Sequence, residues 1–273
     1  MIQIWNTETG SLIKTLTGHT ESVSSLAVLA NGYLASGDEL GEIKIWNTDT
    51  GSLIRTLTAH NEEVTSLAVL QNGYLASCSS DKIKILNTND GSLIRTLTGH
   101  GDSIESLVVL KSGYLASGSY DRTAKIWNIN DGRLIYSLAG HSSGVYTLAV
   151  LQNGFLATGS FDKTIKIWNT DTGGLIRTLT GHTDWILSFA VLQNGYLASA
   201  SGDNTIKIWD TDRASLMTTL ARHTNHVLSL AVLENGFLAS GSADNTIRIW
   251  NLTSGSLQTT LKGHSNFVQS LVA

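Results

Sequence analysis

Residues 182–220 read HTDWILSFAVLQNGYLASASGDNTIKIWDTDRASLMTTL. Trp185–Leu192 is an apolar run of strand length. Asn194-Gly195 follows it, a pair suited to a type I′ hairpin turn, which takes positive φ at both central residues. Tyr196–Ala200 is a second run, and Ser201–Asn204 a second turn. Thr205–Trp209 alternates apolar and polar residues with the period of a strand. Asp210–Ala214 turns the chain again, and Ser215–Leu220 is a fourth run. No segment keeps a 3.6-residue period. Four short strands joined by tight turns predict an antiparallel meander.

The unit recurs along the whole chain. Histidines stand at His19, His60, His100, His141, His182, His223 and His264, spaced 41, 40, 41, 41, 41 and 41 residues apart. Trp5, Trp46, Leu86, Trp127, Trp168, Trp209 and Trp250 form a second ladder with the same gaps. A single four-stranded sheet cannot cover both of its faces. Stacked radially, each sheet covers its neighbours, and ring closure leaves only short edges. The expectation is an all-β, seven-bladed β-propeller of four-stranded antiparallel sheets, with the seventh blade split between the termini and lacking one strand.

The repeat resembles the WD-repeat (WD40) family, whose signature pairs Gly-His with Trp-Asp. Gly18-His19, Gly99-His100, Gly140-His141, Gly181-His182 and Gly263-His264 carry the first element. Ala59-His60 and Arg222-His223 depart from it. Trp209-Asp210 matches the second element literally; the other tryptophans precede Asn, and one repeat reads Leu86-Asn87. The resemblance implies one propeller domain over residues 1–273. Complete blades are expected at about 22–57, 63–97, 103–138, 144–179, 185–220 and 226–261, with an incomplete seventh from 267–273 plus 1–16.

It also implies that the recurring His, Ser/Thr, Asp and Trp form buried structural tetrads rather than catalytic triads. The full sets are His100/Ser117/Asp121/Trp127, His141/Thr158/Asp162/Trp168, His182/Ser199/Asp203/Trp209 and His223/Ser240/Asp244/Trp250. The first complete repeat has Leu40 where Asp is expected. The second has Leu86 for Trp and a b–c turn one residue shorter, and the seventh keeps only His264 and Trp5. Blades one, two and seven are therefore expected to be the softest.

Phe267–Val272 reads as strand a of the seventh blade, and Ile2–Trp5 and Leu12–Leu16 as its strands c and d. Counterparts of residues 233–245, which would supply strand b, are missing. Four outcomes compete: closure with three strands, an open blade with unpaired edges, a strand lent by a second chain, or six closed blades with loose ends.

Composition narrows the function. Apolar residues make up 41% and charged residues 15%, enough to build a core and too apolar for a disordered chain. The net charge of −4 lacks the basic footprint of a nucleic-acid binder. One cysteine, Cys78, excludes an internal disulfide framework. No apolar run approaches the roughly 18 residues of a membrane-spanning helix. The N-terminal MIQIWN has neither the basic nor the apolar region of a signal peptide. A cytoplasmic, intracellular setting is expected, nuclear included, with no cofactor, metal, nucleic acid or membrane partner.

The resemblance places partner binding on the face that bears the d–a and b–c loops. Three positions per blade recur there: three and five residues after the histidine, and the residue before the tetrad Asp. They vary while the framework does not. Tyr120, Tyr146, Phe161, Trp185, Leu187, Leu228 and Phe267 fall there with His226, and Glu39, Glu63 and Glu105 occupy the other arc. Aromatic groups dominate binding hot spots. The expected ligand is a peptide or protein with an apolar anchor and a basic flank. The leading reading is a non-catalytic interaction scaffold. The alternative is a structural or self-assembling module using the incomplete blade for strand exchange or oligomerisation. An enzyme would need a localised nucleophile, metal set or phosphate loop, and none of these motifs is present.

Overall fold

The computed structural model describes residues 1–6 and 9–272. Among these residues there is no helix, and the chain forms six four-stranded antiparallel sheets and one two-stranded hairpin. Strands a to d follow in sequence order within each sheet, so every connection is local. Sheet five is representative, with strands Ile186–Val191, Leu197–Ser201, Ile206–Asp210 and Ser215–Leu220. These lie within a residue or so of the runs read from the pattern.

The a-strands Val23–Val28, Ser66–Val69, Ile104–Val109, Val145–Val150, Ile186–Val191 and Val227–Val232 are innermost, and most pack side by side around an axis. Hydroxyls tie them together: Ser66 Oγ accepts from the Leu107 N–H (3.1 Å), and Ser106 Oγ from the Leu148 N–H (3.2 Å). The b-strands are buried along their whole length in all six sheets. Their small residues (LASGS, LATGS) let neighbouring sheets close together. A Cβ on Gly118 would come within 2.8 Å of Val145. The d-strands face outward, with mostly exposed side chains. Apolar clusters lie between consecutive sheets; Ile206, Ile208 and Leu220 of sheet five pack with Val227, Leu230 and Trp250 of sheet six.

Two expectations are corrected. The a–b turn at Asn194-Gly195 is not type I′. Only Gly195 has positive φ (86°), and Leu192 both accepts from the Gly195 N–H (2.9 Å) and donates to the Tyr196 carbonyl (2.8 Å). That is a type I turn followed by a left-handed glycine bulge. Second, the seventh unit does not form the three-stranded blade that was expected. Ile2–Trp5 pairs with Leu12–Leu16, but Phe267–Val272 forms no strand. Six blades are complete. The hairpin occupies part of the remaining sector: Ile2 and Leu16 pack on Leu34 and Trp46 of sheet one, while Trp5 and Leu271 pack against the sheet-six cluster. Thr7, Glu8 and Ala273, which fall in the expected incomplete blade, lie outside the described residues.

Candidate binding face

The repeated histidines are held inside the framework. In sheets three to six the imidazole Nδ1 donates to the Asp Oδ2 at 2.7–2.8 Å (His100/Asp121, His141/Asp162, His182/Asp203, His223/Asp244). The same rings accept at Nε2 from Ser117, Thr158, Ser199 and Ser240 at 2.7 Å. Each hydroxyl also receives the indole N–H of Trp127, Trp168, Trp209 or Trp250 at 2.8–2.9 Å. Each Asp closes its own turn as well; Asp203 Oδ1 accepts from the Thr205 N–H (3.0 Å) and hydroxyl (2.6 Å). A nucleophile would need a free, substrate-facing oxygen beside donors for an oxyanion. These hydroxyls are saturated and fully buried.

Charge in these networks follows burial and bonding. Burial alone would raise the carboxyl of Asp121, but hydrogen bonds from Thr123, His100 and Gly101 together outweigh it and hold it at about 2. Asp244 is held at about 2 by the same balance. Burial lowers His19, His100 and His223, against the opposing pull of their carboxylates. His60 falls to about 4 through burial and the nearby Lys84 charge.

The first repeat overturns one expectation. Leu40 does stand where Asp was expected, yet the tetrad is complete. Asp38, at the end of strand b, accepts from His19 Nδ1 at 2.7 Å, and His19 Nε2 meets Ser36 at 2.6 Å. Trp46 donates to Ser36 at 2.8 Å. Asp38 Oδ1 also accepts from the Leu40 and Glu42 N–H groups (3.1 and 2.9 Å), the work done elsewhere by the turn Asp. Two residues nearer the strand, it still reaches the ring. His19, Asp38 and Glu42 are the one close group of metal-ligand types found among the described residues. Both His19 nitrogens are bonded and Glu42 pairs with Lys44 at 2.6 Å, so the group reads as a hydrogen-bonded network.

The second and seventh repeats are incomplete as expected. Among the described residues His60 makes one side-chain hydrogen bond, to Ser77 (2.8 Å). Trp5 Nε1 is buried without a partner beside His264.

The three rim positions per blade come together through the backbone. The carbonyls of Ser22, Ser103, Gly144, Trp185 and His226 accept from the N–H groups of Glu39, Tyr120, Phe161, Gly202 and Ala243 at 2.8–3.1 Å. Each d–a loop is thereby clamped to its own b–c loop, and their side chains share one face. Tyr120, Tyr146 and Trp185 surround Phe161, with ring centroids at 5.4, 5.2 and 4.7 Å. Four aromatics from three consecutive blades thus form one patch, with Tyr120 and Trp185 exposed.

At the axis a cleft of roughly 660 Å³ is lined by strand-a residues of every sheet, Glu105, Tyr146, Leu187 and Leu228 among them, with Glu63 and Tyr120 from the adjoining loops. Leu187 contributes to its wall while remaining 92% covered, at 8% exposure. Burial, with the charges of Glu63 and Asp102 adding to it, pushes Glu105 up to about 7. Burial and the neighbouring Glu39 also raise Glu63. Tyr146 is pushed up to about 12 by burial, then by Glu105 and Glu63.

The structure separates some expected rim residues from this site. Phe267 is exposed but lines a different cleft, beside the hairpin of the open sector, while Gln269, Ser270 and Leu271 line the axial cleft. His226 sits half-buried on the sheet-six loop, outside the aromatic patch. Glu62 and Asp102 were missed. Glu62 lines the axial cleft and bonds Ser80, and Asp102 bears on Glu105. Both stand two residues after a ladder histidine, a position whose acidic residues were the available signal.

Nested four-stranded sheets around an axis define a β-propeller. The family model described as WD domain, G-beta repeat matches residues 10–47, 51–85, 91–128, 132–169, 173–210 and 214–251, and the chain belongs to that family. No curated protein matches it. Propellers of this family are generally protein-interaction scaffolds, typically non-catalytic, and commonly bind proteins or peptides.

Proposed function

We propose that the chain is a non-catalytic scaffold that captures a protein or peptide segment on the face formed by its d–a and b–c loops. One observation carries this reading: the patch of Tyr120, Tyr146, Phe161 and Trp185 runs directly into the acidic axial cleft of Glu63 and Glu105. Tyr120 and Tyr146 belong to both. An apolar or aromatic side chain of the ligand packs on the patch, and a neighbouring Lys or Arg enters the cleft. Buried carboxylates crowded by like charge are relieved when a cation approaches. Glu39 extends the acidic arc outward. We read the hairpin, His264 and residues 267–272 as the seventh sector of the same ring.

Peptide-display selection on the folded chain tests the proposal. Enriched sequences are expected to pair an aromatic or aliphatic residue with Lys or Arg, and to lose binding to the Trp185→Ala and Glu105→Gln variants. Absence of enrichment, or equal capture by those variants, removes the reading. A self-assembling module is the second reading, supported by the open sector. Concentration-dependent mass in solution would favour it over a monomeric scaffold.

A further inference from the structure

Three positions of the repeat change chemistry together in one sector. Arg222 precedes its histidine where Gly18, Gly99, Gly140, Gly181 and Gly263 stand elsewhere, with Ala59 in sheet two. Lys262 ends its outer strand where the other sheets have Thr58, Thr98, Ala139, Thr180 and Ala221. Arg248 takes the place of Lys44, Lys84, Lys125, Lys166 and Lys207. Arg222 arrives on the loop between sheets five and six. Arg248 lies on the third strand of sheet six, Thr246–Asn251, and Lys262 on the fourth, Ser256–Lys262. Arg248 pairs with Thr260 and Thr246 with Lys262, so the pleat puts both bases on one face of the sheet. All three cations line a single cleft of roughly 1110 Å³ between the outer edges of sheets five and six.

These cations lack acceptors in the protein. In sheets three to five the base at the place of Arg248 donates to a hydroxyl on the next strand: Lys125 to Ser137 (3.0 Å), and Lys166 to Thr178 and Lys207 to Thr219 (both 3.1 Å). Among the described residues the Arg248 guanidinium makes no such bond. Its Nε is buried without a partner, and Asp244 Oδ2 lies 3.9 Å from its terminal nitrogen, beyond hydrogen-bond reach. That oxygen already accepts from His223 Nδ1 (2.8 Å) and the Thr224 N–H (3.2 Å). Arg222 and Lys262 are exposed and, among the described residues, form no side-chain hydrogen bond or ion pair. Three cations therefore share the cleft with one carboxylate, Asp244, itself committed to its tetrad, which leaves an excess of two positive charges. Thr224 and Thr260 add hydroxyls to the same walls.

We propose that this cleft binds one phosphoryl group, either free phosphate or the phosphomonoester of a partner's side chain. Such a group carries roughly −1.5 to −2 charges at neutral pH together with several strong acceptor oxygens. It balances the excess charge of the cleft, whereas a carboxylate balances half of it. Arg248 supplies the fixed part of the site, because its side chain is only 16% exposed and its fork suits two oxygens at once. Arg222 and Lys262 are free to close on the anion from the loop and from the outer strand. A long polyanion fits poorly, since the chain is net −4 and the three cations are confined to one sector. The cleft shares no lining residue with the axial cleft, so the site does not depend on the function proposed for the rim.

Inorganic phosphate is the first probe, titrated into the 273-residue chain and followed by amide chemical shifts. Saturating shifts are expected in residues 222–224, 246–248 and 260–262, with acetate at least about tenfold weaker. Arg222→Gly, Arg248→Lys and Lys262→Thr each restore a residue that other sheets carry at that place, and urea unfolding checks that the fold is kept. The triple variant is expected to bind phosphate at least about tenfold more weakly, the scale of lost charge-assisted hydrogen bonds. Lys262→Glu, a charge reversal at an exposed position, is expected to weaken binding whatever the stability of the triple variant, and Trp185→Ala to leave it unchanged. The peptide Ala-Gly-Ser-Gly-Ala-Gly phosphorylated on its serine separates the two sources. Tighter binding than phosphate, lost without the phosphoryl group, assigns the cleft to a partner's phosphomonoester; binding of phosphate but not of the peptide assigns it to the free ion. No saturable binding of either probe, shifts confined to other residues, or equal affinity of the parent, triple and Lys262→Glu chains overturns the proposal.

Discussion

Asp38 Oδ2 lies 2.7 Å from His19 Nδ1 and completes the tetrad of sheet one from a position two residues ahead of the one used by Asp121, Asp162, Asp203 and Asp244. Both of its oxygens are engaged, and the residue is fully buried. Asp38→Ala is expected to cost about 2–3 kcal/mol, since it leaves a buried imidazole N–H and two turn N–H groups without their charged acceptor. The double exchange Asp38→Ser with Leu40→Asp is expected to recover most of that loss. Urea unfolding of the three variants checks both outcomes. Amide exchange in sheet one is expected to match sheets three to six, while sheet two exchanges faster.

Sheet two carries two departures that belong together. In sheet five a Cβ at Gly181 would lie 3.1 Å from Trp209 Cη2, with φ at 150°, a tight fit that glycine relieves, although sheet six carries Arg222 beside Trp250 at the same place. Sheet two has Ala59 before its histidine and Leu86 in place of the tryptophan, and the smaller side chain leaves room for the alanine Cβ. Leu86→Trp alone is expected to destabilise by about 1–3 kcal/mol through overpacking. Combined with Ala59→Gly it is expected to gain stability, because the indole then reaches Ser77. The coupling between the two sites is expected to exceed about 1 kcal/mol, and a double-mutant cycle measures it.

Acid is expected to weaken the ring in two windows. His60 is held at about 4 when folded, below the ordinary histidine value. The unfolded chain therefore binds the proton first, so stability is full above pH ~6.5 and falls as pH drops towards ~4. Lowered His19, His100 and His223 act in the same direction. Asp121 and Asp244, held at about 2, contribute stability that is present above the ordinary carboxylate range and is lost as pH falls from ~4 towards ~2. Urea midpoints between pH 8 and 2 should show both declines, and His60→Gln should shrink the first.

At the rim, Glu105 is protonated over much of the range below its raised value of about 7. A basic ligand needs the carboxylate. Affinity is expected to rise several-fold from pH 5.5 to 8, with proton release on binding near pH 6.5. Glu105→Gln should abolish both effects. Calorimetry in two buffers of different ionisation enthalpy measures the released proton.

Much of this was legible in the residues alone. The TIKIW-type alternation, the turn glycines and the 41-residue ladders place the strands of every sheet, because side-chain alternation and turn propensity are local properties. The tetrads of sheets three to six were legible for the same reason: equivalent residues recur at equal spacing. Asp38 was not, because whether a carboxylate reaches its histidine depends on the path of the strand end. The turn at Asn194-Gly195 was misread because dipeptide identity does not settle which residue takes positive φ.

The amino-acid sequence by itself determined the unit, its spacing of about 41 residues and the chemistry of the buried networks in sheets three to six. Only the tertiary structure decided that Tyr120, Tyr146, Phe161 and Trp185 form one patch, since rings from three blades meet through the angle between sheets. It also decided that residues 267–272 form no strand, beside a buried Trp5 indole. The physical reason is the same in both cases. Local pattern selects each strand, whereas contacts across the ring depend on how whole sheets dock, and no single repeat encodes that.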